Sequence, residues 1–456
     1  MRFEDTIIAI STPPGYGGLG IVRLSGQDSL RIAQSFFQPL RSKKNIPPRR
    51  PILGKIYHPQ EKCFFEEALL TYFPAPKTYT REDMVEISCH GSPLLLEEVI
   101  RLGVEAGARL ARPGEFTLRA YLNGRLDILQ AEAVLDLIKA TSLHQARISF
   151  QQLEGSLSRT FRSVREELVD LLSWLETNIE FPEEEVKITS EQIKEILTSL
   201  IDHLQTLIQS YALGKTFSEG VQLAIIGRAN VGKSTLFNAL CGEERAIVTA
   251  LPGTTRDYLE EKVLIKNSVF RLVDTAGLSQ PSHPAEKEGL RRTQQRAQQA
   301  EGLLLVIDAS EELTSEDRHL LNSFKEKPKI IVLNKIDRPQ KVSAMEIKRQ
   351  FSGNVVVPIS ALKGTHLEQL KEKIHKLFVP QKDFGQEVIL HQRQKVLLEQ
   401  IKSGLEKTLH LLQENYSEEH LSEEIRQILP AVNELLGEIR NEEILENIFN
   451  QFCIGK

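Results

Sequence analysis

The residues best equipped for chemistry lie in one stretch, VQLAIIGRANVGKST, residues 221–235. An apolar run, Val221 to Ile226, reads as a buried strand. It breaks at Gly227 into a loop ending in Gly232-Lys233-Ser234, the GxxxxGK[ST] pattern between a strand and a helix that starts near Ser234. Gly227 and Gly232 let the backbone curl so that its N–H groups face phosphate oxygens. The helix N-terminus adds its dipole. Lys233 reaches terminal phosphates, and the Ser234 hydroxyl suits Mg²⁺. Alone, the stretch would also fit an ordinary Gly-rich turn.

Four further segments follow it. Gly253-Thr254-Thr255-Arg256-Asp257 is a polar loop in which a threonine can complete Mg²⁺ coordination and sense a γ-phosphate. The run Val269 to Val273 ends in Asp274-Thr275-Ala276-Gly277; the Asp is placed to hold Mg²⁺ through water, and the Gly N–H to approach the γ-phosphate. The run Ile330 to Leu333 ends in Asn334-Lys335-Ile336-Asp337, whose carboxylate can accept both N–H groups on the edge of guanine. Val355 to Pro358 precedes Ser360-Ala361-Leu362, whose backbone can meet the guanine O6. In this order the segments predict a GTPase. The residue after DTAG is Leu278, which cannot orient an attacking water as the glutamine of small GTPases does. Either hydrolysis is poor or another group acts. Glu286 and Glu288, in the Pro-punctuated segment Ser279 to Glu288, are the available carboxylates; both also fit surface charge at the start of a helix Gly289 to Ala300.

These loops need a sheet to hold them. Residues 218–380 alternate strand and helix, with Leu303 to Ile307 a further strand, which predicts a doubly wound parallel sheet. On both sides the pattern turns helical. Phe150, Leu153, Leu157, Phe161, Val164, Leu168, Leu171 and Leu175 step by three and four. Phe181-Pro182 interrupts the stripe, Glu183 to Glu185 suit a new helix start, and the stripe resumes from Ile193 to Leu207. Val388 to Leu412 and Leu421 to Phe452 are again helical, with Pro430 a kink. Residues 119–217 and 381–456 therefore read as one helical domain into which 218–380 is inserted. Residues 1–118 read as an α+β unit, with strands over Thr6 to Ser11, Gly20 to Leu24, Ile52 to Tyr57, Ala68 to Phe73 and Met84 to Cys89 and a helix over Leu94 to Leu102. The loop Arg41 to Pro51, RSKKNIPPRRP, fits either a solvated basic loop or a contact for a phosphate backbone. Cys89 reads as a core thiol at a strand end.

Chain-wide properties bound the rest. At 456 residues the chain exceeds one core and suggests roughly three domains. A net charge of -5 confines any nucleic-acid contact to a local patch. No apolar run approaches the ~18 residues of a membrane span, and the start, MRFEDTIIAI, lacks the layout of a signal peptide. Cys63, Cys89, Cys241 and Cys453 form no CxxC pair, which fits reduced thiols and no zinc site. The cytoplasm is the expected compartment.

With these motifs in hand, the whole chain resembles the MnmE (TrmE) family of tRNA-modification GTPases. The likeness rests on the GTPase motifs, the last run Phe452-Cys453-Ile454-Gly455-Lys456, Ser11-Thr12-Pro13-Pro14-Gly15, FPAPKTYTRED (Phe73 to Asp83), ARPGEFT (Ala111 to Thr117) and IEFPEEE (Ile179 to Glu185). It implies a multidomain α/β and α protein. Residues 1–118 would form an N-terminal α+β folate-binding-like and dimerisation domain, 119–217 and 381–456 a split all-α helical domain, and 218–380 an inserted Ras-like doubly wound α/β G domain. It implies a K⁺-dependent GTPase that works with the FAD- and NADH-using MnmG in a heterotetramer. The pair would add a carboxymethylaminomethyl or aminomethyl-type group to carbon five of the wobble uridine of certain tRNAs. The one-carbon donor would be a 5-formyl- or methylene-tetrahydrofolate bound at the N-terminal domain of a constitutive homodimer.

Residue by residue, the resemblance assigns Arg23, Glu86, Arg125 and Lys456 to the folate, and cationic groups suit its glutamate tail. Position 125 is Arg where relatives carry Lys, which keeps the charge and changes the geometry. Cys453 matches a cysteine assigned to the modification chemistry, although a packing role fits a thiol near the chain end equally well. Asn230 is assigned to K⁺, with Thr249, Leu251 and Thr254 completing that site, and Ser234 and Thr255 to Mg²⁺. Glu286 would orient the catalytic water through a second water, while K⁺ supplies the charge an arginine finger gives elsewhere. The implied nucleotide-contacting set is Asn230, Val231, Gly232, Lys233, Ser234 and Thr235; Thr249, Ala250, Leu251, Pro252, Gly253, Thr254 and Thr255; Asp274, Thr275, Ala276 and Gly277; Asn334, Lys335, Ile336 and Asp337; and Ser360, Ala361 and Leu362. Lys233, Glu286 and Cys453 carry the catalytic assignments.

The chain departs from the family pattern at Arg81, where Gly is usual, at Ser92, where a second Gly is usual, at Tyr16, and at Leu362 in place of Lys. A rival from another class is a GTP-switched ribosome-assembly factor of the Era or Der type. It would need a basic RNA-binding appendage, whereas the helical halves here are rich in Glu.

Overall fold

The computed structural model describes residues 4–40, 46–180, 189–218, 220–242, 260–266, 268–274, 297–351, 353–379, 387–438 and 442–455, and all counts refer to these. The expectations for Phe181-Pro182, for Glu183 to Glu185 and for most of a helix at Gly289 to Ala300 lie outside the described residues. The chain divides into two compact units: Met1–Leu135 with Gln152–Trp174 and Ile425–Lys456, and Asp136–Gln151 with Leu175–Glu424.

In the first unit, alternating apolar residues build strands β1 (Ile7–Ile10), β2 (Gly17–Ser25), β3 (Phe37–Pro39), β4 (Ile52–His58), β5 (Cys63–Phe73), β6 (Met84–Gly91) and β7 (Arg109–Leu110). They form a seven-stranded sheet in the order β3-β4-β5-β6-β2-β1-β7, antiparallel except for the β1–β7 pair. Val22, Leu24, Ile56, Leu70, Val85 and Ile87 point to one face. There they meet Ile32 and Phe36 of the helix Ser29–Phe36 and Leu96, Val99 and Leu102 of the helix Pro93–Glu105. Each such side chain, fully buried, contributes about 1.5–3 kcal/mol. Pro93 stands in the helix's first turn, where its missing N–H costs nothing. The opposite face carries Arg23 directly across from Glu86 in the β2–β6 register.

In the second unit, strands β8 (Val221–Ile226), β9 (Glu260–Ile265), β10 (Ser268–Asp274), β11 (Gly302–Asp308), β12 (Lys329–Asn334) and β13 (Val355–Pro358) form a six-stranded sheet in the order β13-β12-β11-β8-β10-β9. All neighbours are parallel except β9, an antiparallel edge that the sequence pattern did not announce. Apolar cores lie on both faces, one containing Leu223, Ile225 and Leu236, the other Ala224, Ile226 and Leu321. That two-sided burial is why these strands read as continuous apolar runs.

The helical stripe holds for Leu157, Phe161, Val164, Leu168, Leu171 and Leu175, all buried within Ser156–Glu180. Phe150 and Leu153 are different: they sit on a separate helix, Leu143–Leu153, where Phe150 is half exposed and Leu153 only partly buried. Two expected helices are corrected. Val388 to Leu412 is helical only from Gln392. Val388, Ile389 and Leu390 are buried outside any helix, and a Cβ on Gly214 would stand 1.9 Å from the Ile389 carbonyl oxygen. The glycine lets this run lie against the helix Ser190–Ser218, and Ser210 Oγ accepts the Ile389 N–H at 3.1 Å. Leu421 to Phe452 is two helices, Glu418–Leu436, which runs through Pro430, and Glu442–Phe449. Gly437, at φ 75°, ends the first, a left-handed position that favours glycine. No helix among the described residues is long and apolar enough to cross a membrane.

Candidate functional site

β8 is flanked by β10 on one side and β11 on the other, so strand order reverses at it. In open α/β sheets ligands bind at such a crevice, beyond the strands' carboxyl ends. The loop after β8 fills it and leads into the helix Lys233–Cys241. Gly227 takes φ 156°, and a Cβ there would lie 2.4 Å from the Val306 carbonyl oxygen of β11. Gly232 takes φ 98° at the helix N-cap, and a Cβ there would lie 2.3 Å from Asn334 Nδ2. Only glycine fits either place. The Lys233 ammonium is turned into the loop, donating to the carbonyls of Gly227 at 2.9 Å and Arg228 at 2.6 Å. Its charge therefore sits where phosphate oxygens would enter. Ser234 and Thr235 stand exposed in the helix's first turn.

The segments Asn334 to Asp337 and Ser360 to Leu362 are tied to this loop through two side chains. Asn334, fully buried at the end of β12, donates from Nδ2 to the Val231 carbonyl at 2.9 Å and accepts the Ala361 N–H on Oδ1 at 3.0 Å. Lys335, at φ 66°, donates to the Asn230 carbonyl at 2.7 Å and to Asp308 Oδ2 at 2.6 Å. Asn230 is itself left-handed at φ 63°. Asp337 accepts from the buried Ser360 hydroxyl at 2.6 Å, a bond that holds its carboxyl below the ordinary value. The Ile336 N–H is bound by the Ile359 carbonyl at 3.2 Å, and Leu362 is exposed. Asn230, Val231, Gly232 and Lys233 thus stand together with Asn334, Lys335, Asp337, Ser360 and Ala361.

Four participants, Asp308, Arg228, Asp317 and Glu311, were not singled out from sequence. Asp308 ends β11 and is 2% exposed. Burial alone would raise its carboxyl, but bonds from Lys335 and Ser310 outweigh that and hold it below the ordinary value. The strand-end rule that picked Asp274 would have picked it too. Arg228 donates to Asp317 at 2.9 Å and to Glu311 at 2.9 Å. Asp317 also completes a capping box with Thr314 at the start of the helix Ser315–Ser323, so one carboxylate fixes both the helix and the loop. Pairings across more than 80 residues leave no sequence signal.

Asp274 closes β10 with its backbone opposite Ile225 of β8. Thr249, Ala250, Leu251, Pro252, Gly253, Thr254, Thr255, Thr275, Ala276, Gly277, Glu286 and Lys456 lie outside the described residues.

The first unit holds a second site. Arg23 forks onto Glu86, Nε at 3.0 Å and Nη2 at 2.7 Å. Glu86 and Arg125 line a cavity of about 500 Å³ together with Arg49, Phe73, Lys77, Tyr79 and Arg81. Arg125 lies 4.7 Å over the Tyr79 ring and donates to the Tyr79 carbonyl at 3.0 Å. Arg81 adopts φ 61°, a left-handed conformation that a glycine would take without strain. The C-terminal run reaches the same unit: the Ser11 hydroxyl donates to the Gly455 carbonyl at 3.2 Å, and a Cβ on Gly455 would stand 2.0 Å from the Ile10 carbonyl oxygen. Phe452 is buried, and Phe449 lies 5.7 Å from it, whereas Cys453 is exposed. The packing in this run is therefore done by Phe452. Cys89 is buried, and burial pushes its thiol up to about 11.

Comparison with known proteins follows this geometry. The family profile described as "MnmE helical domain" matches residues 128–453, and that of "GTP-binding protein TrmE N-terminus" matches residues 6–125. The chain is 43% identical over 459 residues to the "tRNA modification GTPase MnmE" of Aquifex aeolicus (strain VF5), covering 99% of this chain and 100% of that protein. It is 39% identical to the protein of the same name from Natranaerobius thermophilus, over 99% of this chain and 100% of the relative. For the one from Thermotoga maritima the identity is 40%, again over 99% and 100%.

Proposed function

The chain belongs to the MnmE family of tRNA modification GTPases, and from that premise we propose that it hydrolyses GTP in tRNA modification, in a K⁺-dependent cycle shared with an MnmG partner. The observation that carries the GTPase reading is the bridge made by Asn334. One side chain binds the phosphate loop at Val231 and the last guanine segment at Ala361, so base and phosphate are met by a single connected surface. The residues fit a nucleoside triphosphate: Gly232 leaves room that a methyl group would close, and Lys233 places an ammonium inside the loop. Asp337, aligned by Ser360, accepts the guanine N–H pair. Match along the full length of tRNA modification GTPases favours this reading over a ribosome-assembly factor.

The finer steps are part of the same proposal. Ser234 and Thr255 would hold Mg²⁺, which would supply positive charge against the phosphates. Asn230, Thr249, Leu251 and Thr254 would hold K⁺, which would supply the charge an arginine finger gives elsewhere. The backbone at Asn230 is pinned by Lys335, which suits a residue that must present ligands at a fixed place. Glu286 orients the attacking water. The chain acts as a homodimer in the cytoplasm. With MnmG it modifies carbon five of the wobble uridine, drawing on a tetrahydrofolate held by Arg23, Glu86, Arg125 and Lys456. The basic cavity beside Glu86 is consistent with an anionic ligand of that size. Cys453, exposed, remains available for the modification chemistry.

Turnover of GTP in KCl against NaCl, at equal ionic strength, tests the cycle. Much faster release of phosphate in KCl is expected; equal rates remove the K⁺ role. Profiling wobble nucleosides in tRNA from a deletion strain tests the destination, and unchanged nucleosides would exclude it.

A further inference from the structure

Among the described residues, the cavity of the first unit gathers several cations that hold no carboxylate. In the same unit Arg159 rests on the Glu154 carbonyl, while Arg23, Arg31, Arg101, Arg109 and Arg119 each hold a carboxylate. The three arginines lining the cavity do not. Among the described residues, Arg49 donates to the carbonyl of Lys77, Arg81 to that of Asn123 at 2.9 Å, and Arg125 to that of Tyr79 at 3.0 Å, and no carboxylate pairs with any of them. Lys77 adds a fourth cation to the same lining. The one carboxylate there, Glu86, is already engaged by Arg23. A carbonyl fixes a guanidinium without neutralising it, and most of its five N–H donors stay open. Two of them lie over aromatic rings: Arg49 at 5.9 Å from the Phe73 centroid and Arg125 at 4.7 Å from that of Tyr79.

The backbone adds an independent sign. Arg49 and Arg81 both sit in left-handed conformation, φ 57° and 61°. Arginine gains nothing from that region, and residues held there concentrate where the strain serves a ligand. The Arg49 backbone is pinned as well, its N–H donating to the Tyr72 carbonyl at 2.7 Å.

We propose that this cavity reads a row of carboxylates: Arg125 takes the first, and Arg49, Lys77 and Arg81 take those beyond it, so that an oligo-γ-glutamyl folate is selected over the monoglutamate. The inference rests on the folate reading of this unit and adds to it the length of the anionic tail. A concave site of about 500 Å³ has the size of a small-molecule site. An RNA backbone would instead meet cations strung along an open surface.

The test titrates the full chain with 5-formyltetrahydrofolate carrying one or three glutamates. It compares the wild type with Arg49→Gly and Arg81→Gly, two substitutions that the left-handed backbone accepts without strain. The wild type is expected to bind the triglutamate about tenfold tighter at low salt, and each variant to lose about threefold of that preference with monoglutamate affinity unchanged. Raising the salt should weaken the triglutamate more than the monoglutamate and so erode the preference. Equal wild-type affinity for the two ligands overturns the tail inference and leaves the folate reading standing. Variants that weaken both ligands equally also overturn it. Binding of neither ligand removes the folate reading itself. Loss of tRNA retention in the variants with ligand preference intact would assign the cluster to phosphates of RNA instead.

Discussion

Gly232→Ala is the sharpest perturbation of the nucleotide site. At φ 98° an L-residue carries a backbone penalty of about 1–2 kcal/mol. The new methyl group would also stand 2.3 Å from Asn334 Nδ2, a separation no pair of heavy atoms tolerates. Asn334 must then move, and it is held at both ends, to the Val231 carbonyl and the Ala361 N–H. Releasing those bonds costs about 0.5–1.5 kcal/mol each, so the total is about 2–5 kcal/mol. If the phosphate loop must hold this shape to bind, affinity for a fluorescent GDP analogue falls by roughly 30-fold to several thousandfold. The two parts separate in a double-mutant cycle with Asn334→Ala. With the amide already gone, the methyl has nothing to displace, and only the backbone penalty remains. The two substitutions together should bind the analogue about fivefold to a hundredfold more tightly than the sum of their separate losses predicts, a coupling of about 1–3 kcal/mol. Strict additivity would refute the claim that Gly232 is glycine because Asn334 stands beside it.

Other outcomes follow from the same geometry. Asp337→Asn turns the acceptor of the guanine N–H pair into a mixed group, so preference should move from guanine toward xanthine nucleotides in competition binding; unchanged selectivity would refute the assignment. Glu286→Ala should slow single-turnover hydrolysis while GTP affinity stays nearly intact, the pattern of a group used in the transition state; a parallel loss of affinity would make its role structural. With its carboxyl held below the ordinary value, Asp308 supports the nucleotide unit fully above the unfolded value near pH 4, and its contribution fades as pH falls through the lower folded value. Asp308→Asn should therefore flatten that part of the acid unfolding curve read by circular dichroism, and an unchanged slope would contradict the Lys335 pairing. Alkylation at pH 8 followed by mass spectrometry should label the exposed Cys453 well before Cys89, which is buried and, at about 11, only about one thousandth thiolate there.

Much of this was legible because periodicity reports burial. The strands β8, β11 and β12 are buried on both faces, so their apolar runs stand out, and the loops that follow them carry the recognisable motifs. What failed to show has physical causes. β9, EEKVLI, places charged residues on an edge where one side meets water, which weakens its apolar pattern. Val388 to Leu390 imitates the start of a helix, because apolar residues packed beside Gly214 look the same in a sequence as apolar residues on a helix face. Around the second site, nothing in the residue type announces that Arg49 and Arg81 adopt left-handed backbone. An arginine that lacks a carboxylate partner is likewise invisible until the fold says what lies near it.

The same contrast bears on how the nucleotide loop works. Its bonds run outward in two sets. Arg228 is held by Asp317 and Glu311, acids on the segment after β11, while Val231 and Asn230 are held by Asn334 and Lys335 at the end of β12. Lys335 also grips Asp308, so both sets meet at the ends of two neighbouring strands. The loop is therefore anchored by residues of the segment proposed to read the base. A nucleotide that displaces Lys335 or Asn334 to accommodate its base must alter the support of Asn230, the residue proposed to hold K⁺. Base identity and cation site would then be linked through two side chains. That makes a concrete demand: Lys335→Ala should weaken the K⁺ dependence of turnover, raising the half-saturating KCl concentration, and do so beyond any change in GTP affinity. If half-saturation by K⁺ is unmoved while affinity falls, Lys335 serves the base alone.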